Sequence, residues 1–390
     1  MNALTARASP LSEGEKRAYI LADNRLAEKA GWDRDMLAIE LQGLIDLEIP
    51  VEVTGFETAE IDLILDEAQE STGPAHGPED VAPSYAAGPA VSRPGDLWVL
   101  GQHRLLCADA RDAAAYDKLL DTAKATFAFT DPPYNVPIDG HVCGLGRIRH
   151  SNFAMGCGEM SEAQFTRFLA TVFRLMASNT VDGSIHQICM DWRHMAEMLG
   201  AGRQVYSELK NVCVWNKTNA GMGSFYRSKH ELVFVWKNGT APHVNNFELG
   251  QYNRSRSNVW DYAGVNSFRH GRLEELAMHP TVKPVALVTD AIRDCSRRND
   301  LVLDPFAGSG TILIAAERIG RRARALEIDP NYVDVAVKRW QAYTGKRALL
   351  AATGATYEMV EASRASEPQT EHPPKSTTEE PQSIDEEVVS

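Results

Sequence analysis

The sequence predicts an α/β fold, a doubly wound and mostly parallel sheet preceded by a small helical N-terminal segment. Three observations carry this prediction. Short apolar runs suited to buried strands alternate with amphipathic helical stretches through residues 96–348. Two of those runs end abruptly in turn sequences, at Asp131-Pro132-Pro133-Tyr134 and at Asp304-Pro305-Phe306-Ala307-Gly308, as strands do at the ligand-binding carboxyl edge of a parallel sheet. The chain has 390 residues, 44% of them hydrophobic, enough for one large core and an appendage.

Residues 12–49 read as helical, with Ile20, Leu21 and Ala27 and then Met36, Ile39, Leu44 and Leu47 at helical spacing. Thr54-Gly55-Phe56 breaks the pattern, and Thr58 opens a short helix ending near Glu67. Residues 71–95 are rich in Pro, Gly, Ala and Ser and read as a linker. Residues 97–100 and 103–107 form a hairpin pair across Gly101-Gln102. Residues 125–130 are a strand leading into Asp131, and 161–178 are a helix with Ser161 as N-cap. Strands follow at 184–190, 211–215, 231–236, 301–304 and 323–328. Helices are expected at 310–319, closed by Gly320, and at 331–343. The last thirty residues are acidic and rich in Pro, Ser and Thr, and the tail, 349–390, is expected to be disordered.

The net charge of -13 is unevenly spread. Residues 1–82 carry 18 acids against 6 bases, and 358–390 carry 9 against 2, whereas 83–357 hold 32 bases against 26 acids. The central part is therefore mildly basic, which is compatible with nucleic acid. No apolar run approaches the length of a membrane span, and Met1 to Pro10 lacks an apolar signal core, so a cytoplasmic protein is expected. The six cysteines form no CxxC pair, which argues against structural zinc and fits a reducing compartment.

The run 301–311 is a strand, a turn with Gly308 and Gly310, and a helix start at Thr311. Glycine lets a ligand approach the backbone closely, and a helix start offers free N–H groups. Taken alone the run is equally a tight strand-to-helix turn. It lacks the third glycine of a dinucleotide loop and the Lys-Ser/Thr of a phosphate loop. The next strand ends in Glu327-Ile328-Asp329, and an acid there can accept hydrogen bonds from ribose hydroxyls. Together these suggest an adenosine-bearing cofactor.

Asp131-Pro132-Pro133-Tyr134 carries chemistry, or else it is a rigid turn with a solvated acid. The prolines restrict the loop. An adenine amino nitrogen is a poor nucleophile because its lone pair is delocalised into the ring. Two acceptors aimed at its N–H groups, the Asp131 carboxylate and the Pro132 carbonyl, favour the tetrahedral state that attacks a sulfonium methyl, and Asp131 can take the released proton. Tyr134 offers a ring for an extruded base, a stacking contact worth about 1–3 kcal/mol. A base within a duplex cannot reach such a loop, so base flipping is implied.

Together with His279-Pro280-Thr281-Val282-Lys283-Pro284, these motifs resemble the amino-methyltransferase family of DNA methylases over most of 96–345. The catalytic motif precedes the cofactor motif, as in the β class. The resemblance implies a fold of the S-adenosylmethionine-dependent methyltransferase (Rossmann-like) type, with S-adenosylmethionine as cofactor and double-stranded DNA as partner. It places Asp131, Pro132, Pro133 and Tyr134 at the catalytic positions. It places Asp109, Thr281, Lys283, Phe306, Gly308, Gly310, Thr311, Glu327 and Asp329 around the cofactor, with Thr281 and Lys283 closing over its methionine end. Asp in the first position of the motif is more typical of adenine-N6 than of cytosine-N4 enzymes. Cytosine-N4 methylation, methylation of a protein amide nitrogen, and a non-catalytic DNA-binding adaptor are the alternatives. The segment 16–25 is similar to the end of a ParB-like domain and is read as a remnant or a helical adaptor, with no nuclease activity carried over.

Candidate DNA contacts fall in three segments. Residues 238–278, the expected recognition segment, hold Arg254, Arg256, Arg269 and Arg272 among Tyr252, Trp260 and Tyr262. The loop 140–158 holds Arg147 and Arg149. Lys217, Asn219, Arg227 and Lys229 lie in a third polar loop. Asp191-Trp192-Arg193-His194 has no nucleophile beside it and reads as structural. No metal site is expected, and the oligomeric state stays open, a dimer being compatible.

Overall fold

The computed structural model describes residues 12, 14–18, 34–70, 89–136, 158–218, 225–247, 256–263 and 282–367. Ten strands form one sheet: β1 (Leu97–Leu100), β2 (His103–Cys107), β3 (Ala125–Thr130), β4 (Thr180–Met190), β5 (Glu208–Asn216), β6 (His230–Lys237), β7 (Val259–Asp261), β8 (Leu301–Asp304), β9 (Arg322–Glu327) and β10 (Leu349–Leu350). Their order across the sheet is β10-β1-β2-β9-β8-β3-β4-β6-β5-β7. The central strands β2, β9, β8, β3 and β4 pair in parallel, and antiparallel pairs flank them on both sides.

The predicted sheet is therefore present and parallel in its centre. From β8 the chain winds outward to β9, and from β3 it winds the other way to β4. The neighbouring ends of β8 and β3 are thus the topological switch point, the crevice where α/β sheets take ligands. Thr130, the last residue of β3, donates from Oγ1 to Asp304 Oδ1 at 2.7 Å and ties the two strand ends together.

Helices pack on both faces. Helix α4 (Glu162–Ser178) opens with the expected cap: Ser161 accepts from the Gln164 N–H, and Gln164 returns a bond to the Ser161 N–H. Its Phe165, Leu169, Val172, Phe173 and Met176 are buried against the β3–β4–β6 part of the sheet. On the other face α6 (Val285–Asp294), α7 (Thr311–Arg318) and α8 (Pro330–Thr344) bury Leu287, Ile292, Ile312, Leu313, Val337 and Trp340 with Trp98 and Phe127. Helices α3 (Ala113–Leu120) and α5 (Met195–Gly202) complete the layer beside α4.

Two boundaries differ from expectation. Residues 349–367 are folded: β10 extends the sheet, and helix α9 (Tyr357–Ala365) buries Tyr357 against Trp98 while Arg364 pairs with Asp96 at 2.5 Å. The rest of the expected tail, 368–390, lies outside the described residues. The end of the expected linker is also fixed, because Asp334 accepts from the backbone N–H groups of Val91 and Ser92.

The N-terminal segment contains α1 (Arg34–Asp46) and α2 (Thr58–Glu70), which share a small core of Leu37, Leu41, Leu44, Phe56, Ile61 and Ile64. Of the four residues read at helical spacing, Leu44 is buried in this core, whereas Met36, Ile39 and Leu47 are exposed. This unit is locked to the sheet by ion pairs. Asp62 binds Arg321 at 2.7 and 3.0 Å and Arg298 at 3.4 Å, and Asp66 binds Arg293 through both oxygens at 2.8 Å. No helix among the described residues is long and apolar enough to cross a membrane.

Candidate active site

Four parallel strands bring their carboxyl ends together in the order β2, β9, β8, β3. Asp109 follows β2, Glu327 ends β9, Asp304 ends β8 and Asp131 follows β3. The candidate cofactor residues and the candidate catalytic loop, far apart in sequence, thus occupy one edge of the sheet in a row.

At the cofactor end, Glu327 is 8% exposed and already shapes the turn beside it. Its two carboxylate oxygens accept from the Gly308 N–H at 2.8 Å and the Asp329 N–H at 2.9 Å. Burial raises the Glu327 carboxyl to about 7, against the lowering effect of these backbone donors. Asp329 caps α8 by accepting from the Asn331 N–H at 2.9 Å. Gly310 has φ 79°, and a Cβ there would lie 2.7 Å from the Ala336 Cβ, so glycine is required for the helix and the turn to meet. Arg339, which the sequence reading did not single out, secures the turn by donating to the Ser309 carbonyl and to the Ser309 and Thr311 hydroxyls. Thr311 therefore serves the turn itself.

The Ala108 N–H bonds to the Glu327 carbonyl at 2.9 Å, which sets Asp109 beside Glu327. Asp109 is held by the Arg111 guanidinium at 2.6–3.1 Å, and Arg111 lies over the Phe168 ring. Phe306 packs against the same ring, 6.1 Å between centroids. The edge thus offers glycine backbone, a buried carboxyl and an aromatic wall. This set fits a nucleoside-bearing cofactor.

At the other end, the loop after β3 is pinned by Asn135, a left-handed residue with φ 53°. Its side chain donates to the Met160 carbonyl at 2.7 Å and accepts from the Gly158 and Met160 N–H groups. The loop carries a charged cluster. Asp131 Oδ1 accepts from the Tyr134 hydroxyl at 2.5 Å, and Oδ2 accepts from Lys283 Nζ at 2.5 Å. Lys283, only 5% exposed, also reaches Glu231 Oε2 at 2.9 Å and the Tyr134 hydroxyl at 3.2 Å. The other Glu231 oxygen pairs with Lys217, whose ammonium lies over the Trp215 ring.

Burial pushes the Asp131 carboxyl above its ordinary value, with Lys283 pulling it down and Glu231 adding to the rise. Glu231 is also buried, but Lys283 and Lys217 together hold it down at about 2. Burial works to lower Lys283, and the two carboxylates outweigh it, leaving the ammonium firmly charged.

Lys283 was expected over the methionine end of the cofactor; in the structure its ammonium pairs with Asp131 and Glu231, drawn there by the two acids. Glu231 and the pairing role of Lys217 were missed. The signal available was an acid opening the apolar run Glu231-Leu232-Val233-Phe234. Arg256, expected on DNA, is corrected to an internal role. It bonds Asp294 at 3.2 Å and the Tyr262 hydroxyl at 2.9 Å and lies over Trp260, because its guanidinium fills a cleft lined by acids. Arg227 and Lys229 are exposed beside Phe225 and Tyr226, both 85% exposed. Thr281, Arg147, Arg149, Arg254 and Arg269 lie outside the described residues. Asp191 caps a short turn and His194 bonds Glu197, as the structural reading had it. No cluster of metal-ligating side chains occurs among the described residues.

A Rossmann-like sheet carrying a Gly turn, a strand-end acid and an Asp-Pro-Pro-Tyr loop along one edge defines the class of amino-group methyltransferases. The family model for DNA methylases of the N6/N4 type matches residues 125–338, more than half of the chain, and the chain belongs to that family. A ParB-methyltransferase helix-turn-helix domain matches residues 35–94, the unit built on α1 and α2. Among relatives, the type II methyltransferase M2.MboI of Moraxella bovis is 24% identical over 55% of this chain and 80% of its own length. M2.LlaDCHI of Lactococcus lactis subsp. cremoris, also a type II methyltransferase, is 28% identical over 57% of this chain and 85% of its own. Of solved structures, the M1.HpyAVI–SAM complex is similar with a TM-score of 0.42 and 20% identity, over 60% of this chain and 98% of the other.

Proposed function

We propose that this chain transfers a methyl group from S-adenosylmethionine to the N6 amino group of adenine flipped out of double-stranded DNA. The observation that carries this reading is the row of strand ends, which sets Asp131 one strand from Asp304 and two strands from Glu327. When bound, the cofactor supplies an electrophilic sulfonium methyl. Glu327 and the Gly308 backbone hold its nucleoside, and Asp109 borders it. Asp131 accepts one amino N–H of the target, and the Pro132 carbonyl accepts the other. Asp131 takes the surplus amino proton as the nitrogen takes up the methyl that the cofactor held there would give, with the S–C electron pair left on sulfur. No covalent enzyme intermediate is needed, because the acceptor is an exocyclic nitrogen. Membership of the DNA methylase family supports a DNA substrate, and the aspartate that begins the loop supports adenine over cytosine. The test is product analysis and methylation-sensitive sequencing of DNA from cells expressing the protein. N6-methyladenine at a defined sequence is expected, and N4-methylcytosine alone would overturn the base assignment.

Two predictions follow from this geometry. Glu327→Ala is expected to weaken cofactor binding by about 1–3 kcal/mol, the value of charge-assisted hydrogen bonds to the ribose. Because the free carboxyl sits at about 7, and bound hydroxyl donors favour its ionised form, binding should release a proton near neutrality. Affinity measured by calorimetry should therefore rise from about pH 6 to about pH 8 in the wild type and lose that slope in Glu327→Gln. Unchanged affinity in both variants removes Glu327 from the site.

The second concerns DNA. Phe225 and Tyr226 form an exposed ring pair, with centroids 4.4 Å apart, next to Arg227 and Lys229. The Lys217 N–H bonds to the Lys229 carbonyl, so this segment extends from strands whose ends hold Lys217 and Glu231. The reading assigns the rings to base stacking and the cations to phosphates. Truncating either ring to alanine should cost about 1–3 kcal/mol of DNA affinity. Arg227→Ala should weaken binding uniformly across sequences and flatten its salt dependence. A gel-shift titration at two salt concentrations distinguishes these effects.

A further inference from the structure

The catalytic carboxylate is engaged on both oxygens, by the Tyr134 hydroxyl and by Lys283. Each Asp131 oxygen keeps a second lone pair, but its charge is shared with Lys283, so a target amine competes with the ammonium for it. Lys283 is buried, and a buried ammonium left without a counter-charge is strongly disfavoured. The only other carboxylate that an ion pair connects to Lys283 among the described residues is Glu231, already 2.9 Å away.

From this geometry we propose that Glu231 is a positioning residue that receives the Lys283 ammonium when Asp131 engages the target amine. The inference rests on the methyltransferase reading above. The cluster is built as an alternating row, Lys217–Glu231–Lys283–Asp131, with no surplus charge. Lys217 neutralises the outer oxygen of Glu231 and keeps it ionised as the standing partner of Lys283. An ammonium has three donors, and those of Lys283 point to Asp131, Glu231 and the Tyr134 hydroxyl. A small swing shortens the contact to Glu231 as the contact to Asp131 lengthens, and Lys283 is never unpaired. Tyr134 moves with the exchange, since its hydroxyl lies 2.5 Å from Asp131 Oδ1 and 3.1 Å from Glu231 Oε2. Handing the hydroxyl proton from Asp131 to Glu231 frees the second catalytic oxygen in the same motion.

Glu231→Gln keeps the shape and removes the charge, so Asp131 becomes the sole counter-ion of Lys283. The full-length protein is assayed with labelled S-adenosylmethionine on genomic DNA from cells that lack it. The variant should keep its thermal midpoint within a few degrees and bind cofactor normally, while kcat falls roughly 10- to 100-fold, less than the roughly 10²- to 10³-fold of a group that itself faces the developing charge. The acid limb of the kcat profile should move to lower pH, because Asp131 loses a negative neighbour and keeps a positive one. Adding Lys283→Met to Glu231→Gln should recover part of the lost turnover, since nothing then captures Asp131. A Glu231→Gln enzyme with wild-type kcat overturns the proposal. So does a slow variant whose acid limb stays in place and which Lys283→Met fails to improve, for that outcome marks Glu231 as structural only. The identity of the methylated base scores the functional reading, and the ratio of variant to wild type scores this one, so either can fail alone.

Discussion

Asp131→Ala is expected to abolish methyl transfer and to leave cofactor affinity unchanged. The loss in kcat should reach at least 10²- to 10³-fold, about the cost of removing one preorganised group facing developing charge. Affinity is spared because Glu327 stands two strands away and the Gly308 turn is held by Glu327 rather than by Asp131. The fold is spared because Lys283 keeps Glu231 as its counter-ion, so no buried cation is stranded. Asp131→Asn separates two parts of the role. It retains an acceptor oxygen but has no charge with which to hold Lys283 or take a proton, and it should lie between alanine and wild type. Single-turnover assays with saturating cofactor measure both variants. Near-normal turnover in Asp131→Ala would remove the loop from the chemistry.

The half of the site that lies within single segments was legible in the sequence. Asp131 to Tyr134 and Phe306 to Gly310 each follow an apolar strand, and a parallel sheet of this winding sends such segments to one edge. The electrostatic half was not legible. Lys283 and Asp131 are 152 residues apart, and Tyr134 and Glu231 are 97 apart. No local pattern marks a lysine that will be buried between two acids. Arg256 shows the converse error: an arginine in a polar stretch reads as a phosphate ligand until the acids of α6 are seen to surround it. The fold followed the same division. Strands β3, β8 and β9 are apolar runs with clear ends, whereas in the stretch 349–367 β10 is two residues long and α9 is a short helix with few buried positions. Tyr357 and Arg364 order that stretch through contacts made some 260 residues earlier in the chain, to Trp98 and Asp96.

The same kind of long-range contact sets the largest expected stability effect. Arg321 is fully buried, and both terminal nitrogens of its guanidinium bond Asp62 of α2. Asp62→Ala leaves that cation with only the Ile319 and Ser296 carbonyls and the Ser296 hydroxyl. Breaking a buried pair from one side costs about 3–5 kcal/mol. At about 2–4 °C per kcal/mol for large domains, the thermal midpoint should fall by roughly 6 °C or more. Burial raises the Asp62 carboxyl, but the Arg321 charge outweighs it and the net shift is downward. The stabilisation is thus present above the ordinary aspartate range near pH 4 and disappears on acidification below it. Removing both partners with Asp62→Leu and Arg321→Met should cost less than Asp62→Ala alone, because the fully buried Arg321 charge is gone and only the more peripheral Arg298 has lost its partner. Calorimetric midpoints of the single and double variants decide this. Equal losses would mean that packing rather than charge joins α2 to the sheet. The consequence reaches the site as well. Arg293 of α6 is tied to Asp66 of the same N-terminal helix, and Lys283 stands two residues before α6 begins. Loosening α2 therefore loosens the base of the segment that presents Lys283 to Asp131, and turnover in Asp62→Ala should fall at temperatures well below its melting midpoint.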